Sequence, residues 1–409
     1  MTKWHFHTPE GFIDIMPSPC ASKRRMEQKL RELFGSFHYR EIETPGMEFL
    51  DVYTCGDGFA VPEQLFKTFD HRGRVLASRF DGTIPVARMV ATKFADQPLP
   101  LRLSYIENMF RFDESGGGRQ KGFTQAGVEL LGSVAPTADG EVVALAIRAA
   151  LTAGISQIQV TIGQVDFFRG VSEEWGLNEE QEQRLIRMID AKELVAIEQF
   201  CEEESFSGKA RQVLSLMLQG SGQISQIDDY AKLVDNPRSL AALDNLRQVL
   251  SYLDDLDLLS FISLDLGLLQ SLDYYTGMIF KGFTYAMGYP LFSGGRYDRV
   301  VSAFGRDLPA TGFSIGIDFA LTALSRQGCL PVDSEQFVVV AYAQDQRKSA
   351  LAHATLLRNE GRAVEICYST KDKEEAIAWA AERQAEWLDY IDSAGELQEI
   401  PLLGTEESE

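Results

Sequence analysis

Three things are scarce in this 409-residue chain, and each absence closes off a class of function. Long apolar runs are missing: none approaches the roughly 18 residues of a membrane-spanning helix. The first residues, MTKWHFHTPEGF, hold no apolar signal-peptide core either. Together these predict a cytoplasmic protein with no membrane partner. Cysteine is sparse, with five thiols at Cys20, Cys55, Cys201, Cys329 and Cys367. They are scattered, odd in number and without metal-ligand spacing, so neither a disulfide framework nor a metal centre is expected. They read as free, mostly buried thiols of a reducing compartment. Positive charge is the third shortage. Lys and Arg total 39 against 60 Asp and Glu, a net charge of −21 with a pI near 4.7. Such a chain has no long-range attraction for a phosphate backbone, so nucleic acid is not expected as a partner; binding it would need a local basic patch.

What is present suits a globular protein of two or three domains, with 45% hydrophobic and 24% charged residues. The stretch around which the chain is organised runs from Gln270 to Val300, QSLDYYTGMIFKGFTYAMGYPLFSGGRYDRV. Leu272 to Phe280 sets aromatic and β-branched residues around one glycine, which predicts a strand with a close backbone approach at Gly277. Leu291 and Phe292 lead into Ser293-Gly294-Gly295-Arg296-Tyr297-Asp298. The paired glycines let the backbone pass close to a ligand or a neighbouring strand, where a Cβ would clash. On these residues alone, an ordinary hairpin with tyrosines packed on a core fits as well.

Upstream, from about Pro19 to Phe37, Met26, Leu30, Leu33 and Phe34 recur at helical spacing. Tyr39, Ile42 and Thr44 then suit a strand that stops at Pro45. Leu65 to Arg79 reads as a hairpin with His71-Arg72-Gly73 at its turn. In the following Arg79-Phe80-Asp81-Gly82-Thr83, Asp81 and Thr83 make a helix start, which a simple cap explains. Leu101 to Gly132 sets two β-rich runs around a glycine-rich loop, Ser115 to Gly118, with Arg111 at the end of the first. Gln125, Gly127 and Glu129 are two apart and share one strand face. A buried Glu129 facing a cleft needs a partner, such as an ammonium or an imidazole N–H.

Leu145 to Ala153 predicts a helix and Ile158 to Ile162 a strand. Residues from about 167 to 256 are helical almost throughout, with the leucine spacing of core packing. Leu308 to Leu321 reads as a strand running into a helix, and residues 326–335 as a linker. A strand at Phe337–Tyr342, a helix at Gln346–Asn359, a strand at Ala363–Tyr368, a helix from Lys373 to about Ala385 and a third strand at Trp387–Ile391 describe a small α/β layer domain. From Pro331 onward there are 17 acidic and 7 basic residues, a net of −10 that suits an RNA-reading surface poorly. The tail LGTEESE has the composition of a disordered segment.

LDYYTG followed by SGGRYD resembles the two histidine-specific signature segments of histidyl-tRNA synthetases. Segments resembling the three class II synthetase motifs occur in order: helix, strand and proline up to Pro45, then Leu101 to Gly132, then Leu308 to Leu321. The first of these forms the dimer interface in that family. Arg79 to Thr83 is similar to its Arg-Pro-Glu-Gly-Thr, with Asp81 in place of Glu. The likeness covers roughly residues 8–325. It implies an α+β fold: a class II synthetase-like antiparallel sheet with helices over 1–325, a helical insertion at about 167–256, and a small C-terminal α/β domain at 333–409 resembling a reduced anticodon-binding domain.

The same resemblance implies a histidine site. Positions like Asp81, Thr83 and Gln125 hold the α-amino group, Glu129 and Tyr275 bracket the imidazole, and Arg111 and Tyr274 belong to the same set. The likeness breaks at Gln270 and Phe319, where the family carries arginines that stabilise ATP phosphates. Losing two such contacts removes several kcal/mol of transition-state stabilisation, so adenylation is not expected. That combination, with Gly163 to Arg169 and Trp175-Gly176-Leu177, is similar to the regulatory subunits of short-form ATP phosphoribosyltransferases. This implies a non-catalytic subunit without cofactor or metal. It would self-associate as a homodimer, join a short catalytic subunit in a hetero-octamer, and impose feedback inhibition by histidine in histidine biosynthesis. An active histidyl-tRNA synthetase and a stand-alone histidine sensor are the alternatives.

Overall fold

A proline in the first turn and a buried stripe of Met26, Leu30 and Phe34 set the first long helix, α1 (Pro17–Ser36), in the computed structural model. The structure describes residues 4–56, 59, 62–112, 120–269, 274–330, 336–368 and 372–402. Gln270, Leu272, the Ser115–Gly118 loop, residues 331–335 and the final LGTEESE lie outside the described residues.

After α1 come β1 (Arg40–Glu41), β2 (Met47–Phe49), a short helix α2 (Leu50–Thr54), the hairpin β3 (Lys67–Phe69) and β4 (Val75–Ser78), and α3 (Thr83–Lys93). The strand expected to reach Thr44 is cut to two residues. Thr44 turns inward, where its N–H and hydroxyl donate to the buried Glu107 carboxylate at 2.5 and 2.9 Å. β5 (Leu101–Phe110) and β6 (Gly122–Leu131) then pair antiparallel along their whole length. α4 (Pro136–Thr152) begins well before the expected Leu145, because Pro136 opens it and its alanines bury a second face. β7 (Ile158–Gln164) runs into α5 (Val165–Glu174), and the Gln164 side chain caps that helix by accepting the Asp166 N–H.

Five more helices follow: α6 (Glu179–Asp190), α7 (Leu194–Glu203), α8 (Gly208–Leu218), α9 (Gln226–Leu233) and α10 (Pro237–Asp254). The chain returns to the sheet through β8 (Ile262–Leu264), β9 (Met278–Thr284), β10 (Phe292–Arg296) and β11 (Ala310–Gly316), which leads directly into α11 (Ile317–Arg326). The strand predicted from Leu272 therefore starts at Met278. Just before it, Thr276 still bonds to the sheet, its N–H donating to Arg296 O of β10 at 2.8 Å.

Among the described residues, eight strands form one sheet in the order β1-β5-β6-β11-β10-β9-β7-β8. It is antiparallel inside and parallel at its two edges, where β1 joins β5 and β8 joins β7. β2, β4 and β3 form a separate three-stranded sheet. The period of two sorts β6: Ala126, Val128 and Leu130 enter the large core with α1, α4 and α11, while Phe123 and Leu131 enter a second core with α3 and β5. Gln125, Gly127 and Glu129 thus lie on the α3 side. These elements make up one unit, Met1–Pro331.

The second unit, Val332–Glu409, contains β12 (Phe337–Tyr342), α12 (Arg347–Asn359), β13 (Ala363–Ile366), α13 (Lys373–Glu382), β14 (Trp387–Ile391) and β15 (Leu397–Pro401). Its sheet order is β13-β12-β14-β15. α12 packs on Val338 and Val340 of one face, α13 on Val339 and Ala341 of the other. β15 carries too few apolar residues to show a pattern and is held at the edge by its antiparallel ladder with β14.

The thiols are not mostly buried as expected. Cys201 and Cys367 are buried, Cys20 is half-buried, and Cys55 and Cys329 are exposed because they follow helix ends. Among the described residues, no helix is long and apolar enough to cross a membrane. Nor, among them, does any group of three His, Cys, Asp or Glu side chains converge as metal ligands would.

Candidate amino-acid-binding site

A cavity of about 240 Å³ opens where the N-terminus of α3 meets the sheet. Asp81, Thr83, Arg111, Gln125, Tyr274 and Tyr275 all line it. Phe59, Phe80, Tyr297 and the glycine backbone of β10 and β11 complete the wall. Glu129, the seventh residue singled out in the sequence, sits behind this wall. Tyr297 donates its hydroxyl to Glu129 Oε2, and Tyr105 donates to Oε1 at 3.5 Å. The partner that a buried carboxylate requires is therefore supplied by the protein.

Tyr297, like Phe59 and Phe80, is a wall residue that sequence reasoning missed. A signal for it was present: in SGGRYD, adjacent residues of an extended chain point to opposite sides. Arg296 points away from the cavity and pairs with Asp139 of α4, Nη2 to Oδ1 at 3.0 Å and Nε to Oδ2 at 3.1 Å. Asp298 accepts the Ala310 N–H at 2.9 Å and donates its own N–H to Thr276 Oγ1 at 2.9 Å. Arg296 and Asp298 fasten β10 in place, and Tyr297 faces the site.

Glycines make the room. A Cβ on Gly82 or Gly127 would lie 2.2 or 2.4 Å from the Tyr105 ring, so that ring can cross β6 towards Glu129 only because both positions lack one. A Cβ on Gly312 would lie 1.9 Å from Glu129 Oε2. One on Gly294 would lie 2.3 Å from Gly312 O, and one on Gly295 2.5 Å from Met278 O. The glycine pair of SGGRYD thus allows strands to pack closely beside the cavity, and the simple hairpin reading gives way to a sheet that forms a pocket wall.

Burial dominates the electrostatics. It pushes Glu129 up to about 8, against the hydroxyl donors Tyr297 and Thr83 that favour the carboxylate. It also raises Asp81, opposed by the nearby Arg111 guanidinium. Burial raises Tyr274, Tyr275 and Tyr297 as well, so these phenols stay protonated and can donate. Asp81 Oδ1 accepts the Ile84 N–H at 3.1 Å while Asp81 lines the cavity, so the cap and the wall are both parts it plays. Arg111 Nε donates to Phe80 O at 3.0 Å, and its guanidinium lies 4.8 Å from the Phe80 ring centroid. Carboxyl, hydroxyl and amide groups facing a cation across a volume of this size offer partners to both ends of one amino acid.

Arg111, Gln125, Ser293 and Ser314 also line a second chamber of about 240 Å³, whose wall includes Gln120 and Lys121 together with Phe123, Tyr289, Leu291 and Phe319. Phe319 stacks on Phe123, with ring centroids 5.5 Å apart and planes at 19°, and meets Tyr289 edge-on at 5.0 Å. Position 319 therefore presents an aromatic face to this chamber and no cation. A larger polar cleft of about 790 Å³ lies along α1 and β1, lined by Arg24, Glu27, Arg31, Glu41 and Glu43 among others.

The histidyl-tRNA synthetase family model matches residues 11–319. The ATP phosphoribosyltransferase regulatory subunit of Acetivibrio thermocellus is 44% identical over 381 residues, which cover 93% of this chain and 91% of that protein. The regulatory subunit of Ruminiclostridium cellulolyticum is 39% identical over 391 residues, 96% of this chain and 93% of that one. Among solved structures, an ATP phosphoribosyltransferase regulatory subunit/histidyl-tRNA synthetase from Bacillus halodurans aligns with a TM-score of 0.85 at 29% identity, over 96% of this chain and 100% of that one. The histidyl-tRNA synthetase of a Nostoc species shares the fold, with a TM-score of 0.81 at 21% identity over 97% of each chain. The α+β, class II synthetase-like architecture expected from the motifs is the one this protein adopts, and the chain belongs to the family of ATP phosphoribosyltransferase regulatory subunits.

Proposed function

We propose that this chain is the non-catalytic regulatory subunit of a short-form ATP phosphoribosyltransferase, needed for that enzyme's activity and for its feedback inhibition by histidine. One observation carries the proposal: the site is divided. The amino-acid cavity keeps Asp81, Thr83, Arg111, Gln125, Tyr274 and Tyr275, while in the adjoining chamber Phe319 stacks on Phe123 where an ATP-activating site would place a cation. Histidine is the ligand in this reading. Its ammonium meets Asp81, Thr83 and Gln125, and its imidazole meets the tyrosine hydroxyls backed by Glu129. Aminoacylation is absent. The chain pairs with a second copy along α1 and β1, beside the polar cleft there, and joins the catalytic subunit in a cytoplasmic hetero-octamer.

The test is the turnover of a short catalytic subunit with and without this chain, followed by a histidine titration. Turnover should depend on the chain, and Glu129→Gln should raise the histidine concentration needed for inhibition. A chain that changes neither rate nor histidine sensitivity refutes the regulatory reading. Histidine-dependent ATP–pyrophosphate exchange by the chain alone, above a control without histidine, would mark an active synthetase instead.

A further inference from the structure

The tyrosine pair of the cavity is held from outside by a helix that does not line it. The Val165 N–H, at the first turn of α5, donates to Gly277 O at 3.0 Å. One turn on, Arg169 Nη2 donates to Tyr275 O at 3.4 Å. α5 therefore grips the 275–277 backbone at two points. Arg169 is itself oriented by Asp166, with Nη1 to Oδ1 at 3.7 Å. Asp166 in turn accepts from Arg238 of α10, at 2.6 Å from Nη2 and 3.1 Å from Nε.

The two helices are also in backbone contact. A Cβ on Gly170 would lie 2.4 Å from Ser239 Oγ and 2.6 Å from Ser239 N. Only a glycine allows that approach, which brings the Ser239 hydroxyl to Phe167 O at 2.9 Å. Gln164 Nε2 adds a bond to Asn245 Oδ1 at 3.0 Å. Segment 275–277, α5 and the N-terminal half of α10 are thus joined by main-chain bonds, a buried hydroxyl and an ion-pair chain.

We infer that Arg169 is a positioning residue that ties the tyrosine pair to α5 and α10, so that occupancy of the amino-acid cavity is read out on the helical insertion. This rests on the reading of the cavity as a histidine site. A ligand that contacts Tyr274 and Tyr275 favours one position of the 275–277 backbone, and every element bonded to that backbone shares the shift. Arg169 does not line the cavity. Its contribution is to fix the main chain that presents the phenols.

Hydrogen exchange of the full chain with and without L-histidine tests this. In the parent protein, histidine should slow exchange in residues 274–284 and also in residues 165–175 and 236–254. Arg169→Gln should weaken histidine binding about 2- to 10-fold, the worth of one hydrogen bond. At saturating histidine the variant should regain protection at 274–284 and show a weakened response in 236–254, with the Val165–Gly277 bond as the link that remains. Arg169→Lys, which keeps the charge and a donor, should restore part of that response. If Arg169→Gln does not fold, Arg238→Gln cuts the next link and should weaken the response of residues 236–254 alone, since Ser239 and Gln164 still join α10 to α5. Protection of 274–284 in the parent without any change in α10, or an α10 response in Arg169→Gln equal to the parent's, overturns the inference and leaves the cavity reading intact. Absence of histidine protection anywhere in the parent overturns the cavity reading, and the inference falls with it.

Discussion

A carboxyl as deeply buried as that of Glu129 takes its charge from its neighbours, and here those are two phenols and a threonine hydroxyl. Tyr275→Phe should weaken histidine binding by about 1.5–3 kcal/mol, roughly tenfold or more, because it removes a hydrogen-bonding group from the cavity wall, and Glu129→Gln should weaken it indirectly, because it alters the hold on the Tyr297 hydroxyl at that wall. Tyr297→Phe should resemble Glu129→Gln, since it strips the carboxyl of a donor that also lines the cavity. Isothermal calorimetry decides, and parent-like binding by both Glu129→Gln and Tyr275→Phe would put the ligand elsewhere. The same carboxyl links stability to pH. Its folded value near 8 lies above the ordinary carboxyl range, so between the two the folded state holds a proton that the unfolded chain has released. Its stabilising contribution is complete below about pH 4.3 and is lost as pH rises through the folded value. The melting midpoint of the ligand-free parent should therefore fall more steeply between pH 5 and 8 than that of Glu129→Gln; parallel curves would contradict the assignment.

The strand pair β10–β11 shows how one element serves the fold and the site at once. Gly312→Ala would place a Cβ 1.9 Å from Glu129 Oε2 and 2.5 Å from Val128 O, the second a backbone atom that cannot swing away. It should cost about 1–3 kcal/mol or more of stability and remove histidine binding from the protein that still folds. Asp139→Ala acts on the other side of the same strands. It leaves Arg296 buried without its main counter-charge, a loss of about 3–5 kcal/mol. It touches no wall of the cavity, so the folded fraction should keep its histidine affinity. Urea titrations paired with calorimetry separate the two, and equal histidine affinities in both variants would deny β11 its part in the site.

At the scale of the whole molecule, a regulatory subunit acts by favouring one state of an assembly. Coupling between histidine and the catalytic subunit's substrates should then be reciprocal: the factor by which substrate changes histidine affinity equals the factor by which histidine changes substrate affinity. Such couplings run to about 1–3 kcal/mol, roughly 5- to 150-fold. Binding titrations of the reconstituted complex in both orders test this, and a histidine affinity that ignores substrate while histidine still inhibits would exclude an equilibrium mechanism. The second unit is acidic, but its fold is a regular sheet with a helix on each face, so any degeneration concerns its charge and length and not its packing.

Much of this could be read from the chain itself. The period of two that places Gln125, Gly127 and Glu129 on one face of β6 is a local property of an extended backbone, and so is the turn at Gly73. The order of the motif-like segments carried the fold class, because each is a short run whose residues act together. What lay beyond reach depends on partners far apart in sequence. Nothing near Glu129 announces that Tyr297 and Tyr105 will satisfy it, or that Gly82 clears space for the Tyr105 ring. Nothing near Phe319 announces that it will stack on Phe123 and wall the second chamber. β1 shortens because Thr44 finds Glu107, a residue more than sixty positions away. Local propensity chose the helices and strands. Which polar groups would be desolvated together, and hence where the charge of the site resides, was decided only when the sheet closed over them.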